Sequence, residues 1–392
     1  VLRRHLLRFH AMGRYWMRVA SLYIVLALVG KTWSWVVPTV AQAAGLGPLD
    51  ASGSGDTSWH YLHVAVDLTL ACAGAAVWSV WFRSDRVVSP LLRFAVRAYL
   101  FKGMTIYGLM KIGGTQFPAP TLVKLATTFG ESSPMGVLWA FMGTSQAYCV
   151  FTGALELLGA VLMVFRRTTT LGAVLVLGVM GNVVMLNLCY DVPVKLHAIH
   201  YLAGAVFLVA ADGRRLVDLF LLDRPVPAAA VEPIFETPRL ERLGHYVKVI
   251  AAAAFILSSV STVATMRARF FDVEPPPLYG IWQVERFESD HAEVDPWTQL
   301  VVAERGRASL RVASGNRYAY RSKSESGRLQ LIARDGSGDG AIELDYVRPG
   351  DDQLTITGDG FRVELRRVDD SALSLRNPQF RWISDKPNHR WK

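Results

Sequence analysis

Cysteine is nearly absent from this chain. Its 392 residues hold three, Cys72, Cys149 and Cys189, and no two are spaced as a CxxC or a zinc ribbon. That excludes a disulfide framework and thiolate metal sites and leaves small apolar packing residues. Charge is scarce as well, at 19% Asp, Glu, Lys and Arg. No metal or flavin motif occurs. No clear internal repeat occurs either, which weakens a transporter built from related halves. The net charge of +9 in so apolar a chain belongs to loops at a membrane surface and points to no nucleic acid.

What the chain does have is long apolar runs. Hydrophobic residues make up 51% and the mean hydropathy is +0.25. Windows of about 20 apolar residues, enough to cross a bilayer, recur over the first two thirds. The pattern predicts a polytopic α-helical membrane protein with about seven transmembrane helices, near 16–37, 62–82, 90–112, 141–165, 171–189, 195–211 and 246–265. The third carries Arg93, Arg97 and Lys102. No small-residue cleavage site follows the first, so it reads as a retained span. The loops "RRHLLRFHAMGR", "RSDR", "RRTTT" and "DGRR…RLERLGHYVK" are basic, and those between them are poor in Lys and Arg. The positive-inside rule then places the N-terminus in the cytoplasm and the chain beyond the seventh span outside.

At "FFDVEPPPLYG" the character changes. Three prolines make 271–278 a stiff linker between a helical domain, 1–270, and a second domain, 279–392. The second reads as about eight short alternating segments, from "GIWQVERFE" to "FRVELRRV". "LTITGDGFRVELRR" is a hairpin signal. Such a pattern predicts a small antiparallel all-β barrel, which removes sheet edges. Its opening, Gly280-Ile281-Trp282, resembles the G-x-W of lipocalin-type barrels, and Arg381 is the candidate for the arginine that packs on such a tryptophan.

Within 93–222 the segments "RAYLFKGMTIYGLMK", "FTGALELLGAVLMVFRRTTTLGAVLVLGVMGNVV" and "YDVPVK" carry a further resemblance. Gly108 and Lys111 end one helix; Glu156, Gly159 and the Arg166/Arg167 turn mark the next. In these features the chain resembles the DoxX family. That resemblance implies a four-helix bundle in the cytoplasmic membrane of a bacterium and a quinone-linked redox role beside partner membrane subunits. A quinone is then the candidate cofactor. A bilayer anchor or accessory subunit, whose barrel binds a partner protein or a hydrophobic ligand, is the alternative.

Two groups of residues carry the candidate chemistry. At about 1.5 Å of rise per residue, Lys102, Glu156 and Asn182 fall near the midplane, where an unpaired charge costs at least ~2.5 kcal/mol. A Lys102–Glu156 pair, or Glu156 bonded to Asn182, is expected, either as a packing clasp or as a proton-handling site. Nearer the outer surface are His60, His63, Asp67, Tyr107, Lys111, Gln116, Glu131, Asn187, Asp191, Lys195, His197 and His200. His197 and His200 share a helix face. These groups fit a polar rim closing helix ends, a quinone headgroup site, or a metal site. Glu131-Ser132-Ser133-Pro134 reads as a helix start, and amides there favour an anion.

Overall fold

The structure is a computed structural model that describes residues 15–27, 36–47, 49, 52, 54–81, 88–226, 237–291, 293–333, 341–376 and 383. The basic runs at 3–14 and 83–86, the middle of the first expected span and Arg381 lie outside these residues. Eleven helices are described: α1 (Tyr15–Ala27), α2 (Val36–Ala43), α3 (Ser58–Trp81), α4 (Val88–Ile112), α5 (Leu122–Leu125), α6 (Pro134–Thr144), α7 (Gln146–Val164), α8 (Thr169–Cys189), α9 (Lys195–Ala211), α10 (Gly213–Phe220) and α11 (Pro238–Phe270).

By length and composition the described helices supply four or five of the roughly seven expected spans. α3, α7, α8 with the turn before it, and α11 qualify alone; α9 and α10, bent by 69°, make a fifth if they count as one. α1 is too short over its described length. α4 is helical for 25 residues but carries Arg93, Arg97, Lys102 and Lys111.

The chain divides into two compact units that do not follow chain order. One comprises residues 1–110 and 151–262, the other 111–150 and 263–392. The insert at 111–150 therefore belongs with the barrel rather than with the helical domain to which its place in the chain assigned it.

Close helix approaches in the first unit are set by small residues, as expected where no hydrophobic force drives helices together. A Cβ on Gly108 of α4 would stand 2.7 Å from the Gly153 carbonyl oxygen of α7. One on Gly159 of α7 would stand 2.6 Å from Val176 of α8. Ala71 and Ala75 of α3 are buried together with Val19 of α1, flanked by Leu22 and Tyr23. Arg97, the charge that made α4 doubtful as a span, is buried. Its guanidinium donates to the Met163 carbonyl at 2.9 and 2.6 Å and to that of Val164 at 3.0 Å. It thus satisfies the orphan carbonyls at the end of α7.

The second unit holds a closed antiparallel barrel of eight strands in simple sequence order. They are β1 (Gly280–Ser289), β2 (Trp297–Ala303), β3 (Arg307–Val312), β4 (Arg317–Glu325), β5 (Arg328–Ala333), β6 (Ala341–Gly350), β7 (Gln353–Gly358) and β8 (Phe361–Val368). β8 pairs back on β1 and closes the sheet. The expected β7–β8 hairpin is present, turning at Asp359-Gly360. Between β4 and β5, Ser326 and Gly327 both have positive φ, as a type I′ hairpin turn requires. Trp282, Leu300, Leu329, Leu331, Leu354 and Ile356 are part of the side-chain core that fills the interior. The Trp282 indole donates to the Leu278 carbonyl at 2.9 Å. The arginine over its ring, at 5.9 Å, is Arg348 of β6.

The insert covers part of this barrel from outside. Leu122 of α5 is buried with Ile281, Val301 and Ala303, whose side chains point outward from β1 and β2. α6 begins as the sequence suggests, with Ser133 accepting from the Gly136 amide and proline in the first turn.

The tight crossing at Gly108 makes a direct prediction. Gly108→Ala should cost about 1–3 kcal/mol through forced backbone separation. Gly178→Ala, where a Cβ meets open space, should be neutral. Thermal unfolding of the detergent-solubilised protein checks both.

Candidate functional site

One group of polar residues in the first unit, around Asp67, lies where α1, α3 and α9 meet. Asp67 sits on the same stripe of α3 as Ala71 and Ala75 and is 2% exposed. His63, one turn earlier, places Nδ1 3.4 Å from one carboxylate oxygen. The other, Oδ1, is buried and has no hydrogen-bond partner among the described residues. Such a group costs free energy unless something satisfies it.

His200 of α9 and Tyr23 of α1 lie close enough to Asp67 to feel its charge. His200 Nδ1 is 2.6 Å from the Leu196 carbonyl oxygen. A carbonyl only accepts, so Nδ1 carries the proton. In the neutral ring Nε2 is then the acceptor, and the Tyr23 hydroxyl donates to it. Beside this pair is a cavity of about 190 Å³, lined mostly by apolar side chains of α1, α4 and α9, with Tyr99 as its third polar group.

From this cavity a row of tyrosines runs through the unit. The Tyr99 and Tyr201 rings are 4.9 Å apart, close enough for each hydroxyl to feel the other. Tyr107 meets Tyr201 edge-on at 6.1 Å and lies near Glu156. Glu156 is 2% exposed, on the α7 face that meets Gly108.

The expected midplane clasp is not formed. Lys102 and Asn182 are exposed, and among the described residues neither bonds to Glu156. Helix phase explains this. Asn182 is two residues from both Met180 and Val184, which are buried, and so points roughly 200° away from each at about 100° per residue. Lys102 is likewise two residues from buried Leu100 and Met104.

The start of α9 collects another set. α8 and α9 are joined by a tight turn, with Asp191 at a φ of 50°. Lys195 Nζ is 2.8 Å from Asp191 Oδ1. Burial-free Asp191 is held below the usual carboxylate range by this hydrogen bond and charge. Asn187 is buried and donates to the Val194 carbonyl at 3.5 Å. The decisive residue here, Asp56, was not singled out in the sequence. Its carboxylate accepts from the Lys195 and Leu196 amides at 2.6 and 2.9 Å, capping a helix 139 residues away. "GDTS" does look like a helix cap, but for α3; there Thr57 bonds His60 Nδ1 at 2.7 Å instead. The His197 ring lies where a Cβ on Gly55 would be, 2.7 Å away. His197 and His200 thus face different neighbours. Among the described residues no three His, Cys, Asp or Glu side chains form a metal-ready group.

The remaining candidates belong to the other unit. Lys111 is buried, with its ammonium 6.0 Å from the Phe117 ring centre. Gln116 buries its side-chain oxygen without a hydrogen-bond partner among the described residues. Glu131 does not frame an anion site. It takes Arg311 of β3 at 2.9 and 2.8 Å and lies 3.7 Å from Arg317 of β4. Arg317 donates to Thr127 Oγ1 and the Val123 carbonyl. Partial burial alone would raise the Glu131 carboxyl. Hydrogen bonds to Thr128 and the two guanidinium charges outweigh it and hold the group below its ordinary range.

No protein-family model matches the chain, and no solved structure matches it. Over 138 residues it is 31% identical to the uncharacterized protein YwoB of Bacillus subtilis (strain 168), an alignment covering 88% of that protein and 35% of this chain. The chain belongs to the YwoB family. Nearly all of YwoB therefore has a counterpart here, while about two thirds of this chain lies outside the match.

Two outcomes follow from these contacts. Asp56→Ala should cost about 1 kcal/mol through the lost α9 cap, with Asp56→Asn milder, read from thermal unfolding. Glu131 has a folded pKa below its unfolded one. Its contribution is therefore complete above the ordinary value of about 4.3 and is lost as pH falls through the folded value. Hydrogen-exchange protection of residues 122–131, corrected for intrinsic rates, should drop in that acid range. In Glu131→Gln it should be low and unresponsive to pH throughout; equal responses in both proteins would refute the assignment.

Proposed function

We propose that this is a quinone-linked membrane redox protein working beside partner subunits, with its quinone headgroup site at Tyr23, Tyr99 and His200. The observation that carries the reading is Asp67. A buried carboxylate with an unpartnered oxygen, near a histidine–tyrosine pair that opens on an apolar cavity, is suited to exchanging protons with a ligand. The cavity of about 190 Å³ is below the ~300 Å³ at which whole drug-sized ligands are held. It suits a ring headgroup whose tail leaves along the helices.

A bound quinone would supply the two-electron, two-proton couple. His200, with its tautomer set by the Leu196 carbonyl, holds or releases a proton at Nε2. The Tyr23 hydroxyl follows it as donor or acceptor, and Asp67 with His63 takes the proton onward. The row Tyr99, Tyr201, Tyr107 ends at Glu156 as a second buried proton group. The electrons pass to or from a partner subunit. The DoxX resemblance supports this reading. On this reading the chain sits in a bacterial cytoplasmic membrane with its barrel outside, as the basic loops suggest, and α1 and α4 would join the other spans there, making seven.

The second reading is a non-enzymatic accessory subunit. The filled barrel favours it, because an interior packed with its own side chains leaves the outer surface for a partner protein.

Mass spectrometry of small molecules bound to protein extracted with native lipid tests the choice. An isoprenoid quinone is expected, retained by wild type and lost in His200→Gln and Asp67→Asn. Absence of quinone, together with no redox response to added quinol, would remove the first reading, and co-purifying subunits would then support the second.

A further inference from the structure

A much larger cavity lies elsewhere in the first unit, and the site above makes no use of it. It measures about 1080 Å³ and runs between α4, the turn joining α7 to α8, and α11. Its two parts differ in chemistry. The body is apolar, walled by Phe94, Ala98 and Phe101 from α4 and by Val247, Ala251 and Ala252 from α11. The mouth is cationic. Arg97 comes from α4, Arg166 and Arg167 from the turn, and Arg242 and Lys248 from α11, with His245 beside them. Glu241 is the one carboxylate among the lining residues, and Arg166 already pairs with it at 2.6 Å. Arg97 spends its hydrogen bonds on neutral carbonyls, which leaves its charge in place.

We propose that this cleft binds an anionic phospholipid, with the phosphate at the mouth and an acyl chain along α4 and α11. Charge complementarity selects the headgroup, since four cations remain after Glu241 is matched. A zwitterionic headgroup would bring its own cation into that cluster. The apolar body selects a lipid over a free anion, which would use only the mouth. α11 fits this occupant: its most apolar 18-residue stretch has no buried residue, so much of its surface is left for lipid. The mouth lies where α7 ends and α8 begins, the depth at which a headgroup sits. Basic residues so placed each add attraction for anionic lipid, and their stems cover apolar surface.

The test uses the full chain in nanodiscs or detergent with dioleoyl-phosphatidylglycerol and dioleoyl-phosphatidylcholine at equal mole fraction, and native mass spectrometry as readout. Wild type should retain phosphatidylglycerol in clear preference. Arg167→Gln with Lys248→Gln should cut that preference roughly tenfold without shifting thermal unfolding; neither residue caps a helix. Ala252→Phe, which fills the apolar body and leaves every charge, should lower retention of phosphatidylglycerol as well. Equal retention of the two lipids by wild type would overturn the proposal. So would an unchanged preference in the double variant, or displacement of the lipid by millimolar inorganic phosphate, which would mark a free-anion site.

Discussion

Inside an apolar helix bundle a polar group must find its partner within the protein, because lipid offers none. The helical unit is arranged around that constraint. Arg97 is tolerated in α4 because the last carbonyls of α7 need donors, and it gives them three hydrogen bonds. Asp56 is held down on α9 because two amides at that helix start need an acceptor. Among the described residues of this unit the rule is broken at Asp67 Oδ1, Thr105 Oγ1 and Arg215 Nε, and the one carboxylate among them marks the candidate site.

The second unit follows a different logic. A barrel closed by β8 pairing with β1 has no edge to protect, and its interior is full. Its contact with the rest of the unit is therefore made on an outer face. α5 and the turn after it supply that contact, through the Leu122 cluster and through Glu131 and Thr127 with Arg311 and Arg317. The insert has no role that its own composition reveals. Its partners lie some 180 residues later in the chain.

Much of the fold was legible. All eight strands coincide with the alternating segments, since a two-residue period survives without knowledge of neighbours. The α8–α9 hairpin followed from its short turn, and α6 from its Ser-Pro start. The number of spans was less legible. Of the first segment only 15–27 and 36–37 are described, and hydropathy could not weigh the arginines of α4 against a partner helix it did not see. For the site, His63, Asp67 and His200 were named and are brought together. Tyr23, Tyr99 and Tyr201 were missed, because a tyrosine in an apolar run looks like core until its hydroxyl has a partner. Lys102 and Asn182 were placed by depth along their helices. Phase around the axis, also readable from the buried stripes, turns both outward.

By itself the sequence determined what depends on local pattern: apolar helices, a stiff proline linker, eight short strands, and the helix starts and turns between them. Tertiary structure alone decided which polar groups meet. Asp56 caps α9 rather than α3, Arg97 closes α7, Glu131 holds the barrel, and Asp67 keeps one oxygen unmet. The reason is physical. A period fixes which face of an element is buried, but the partner of a buried charge is set by close approaches between segments far apart in the chain, such as Gly108 against Gly153, and no local pattern encodes those.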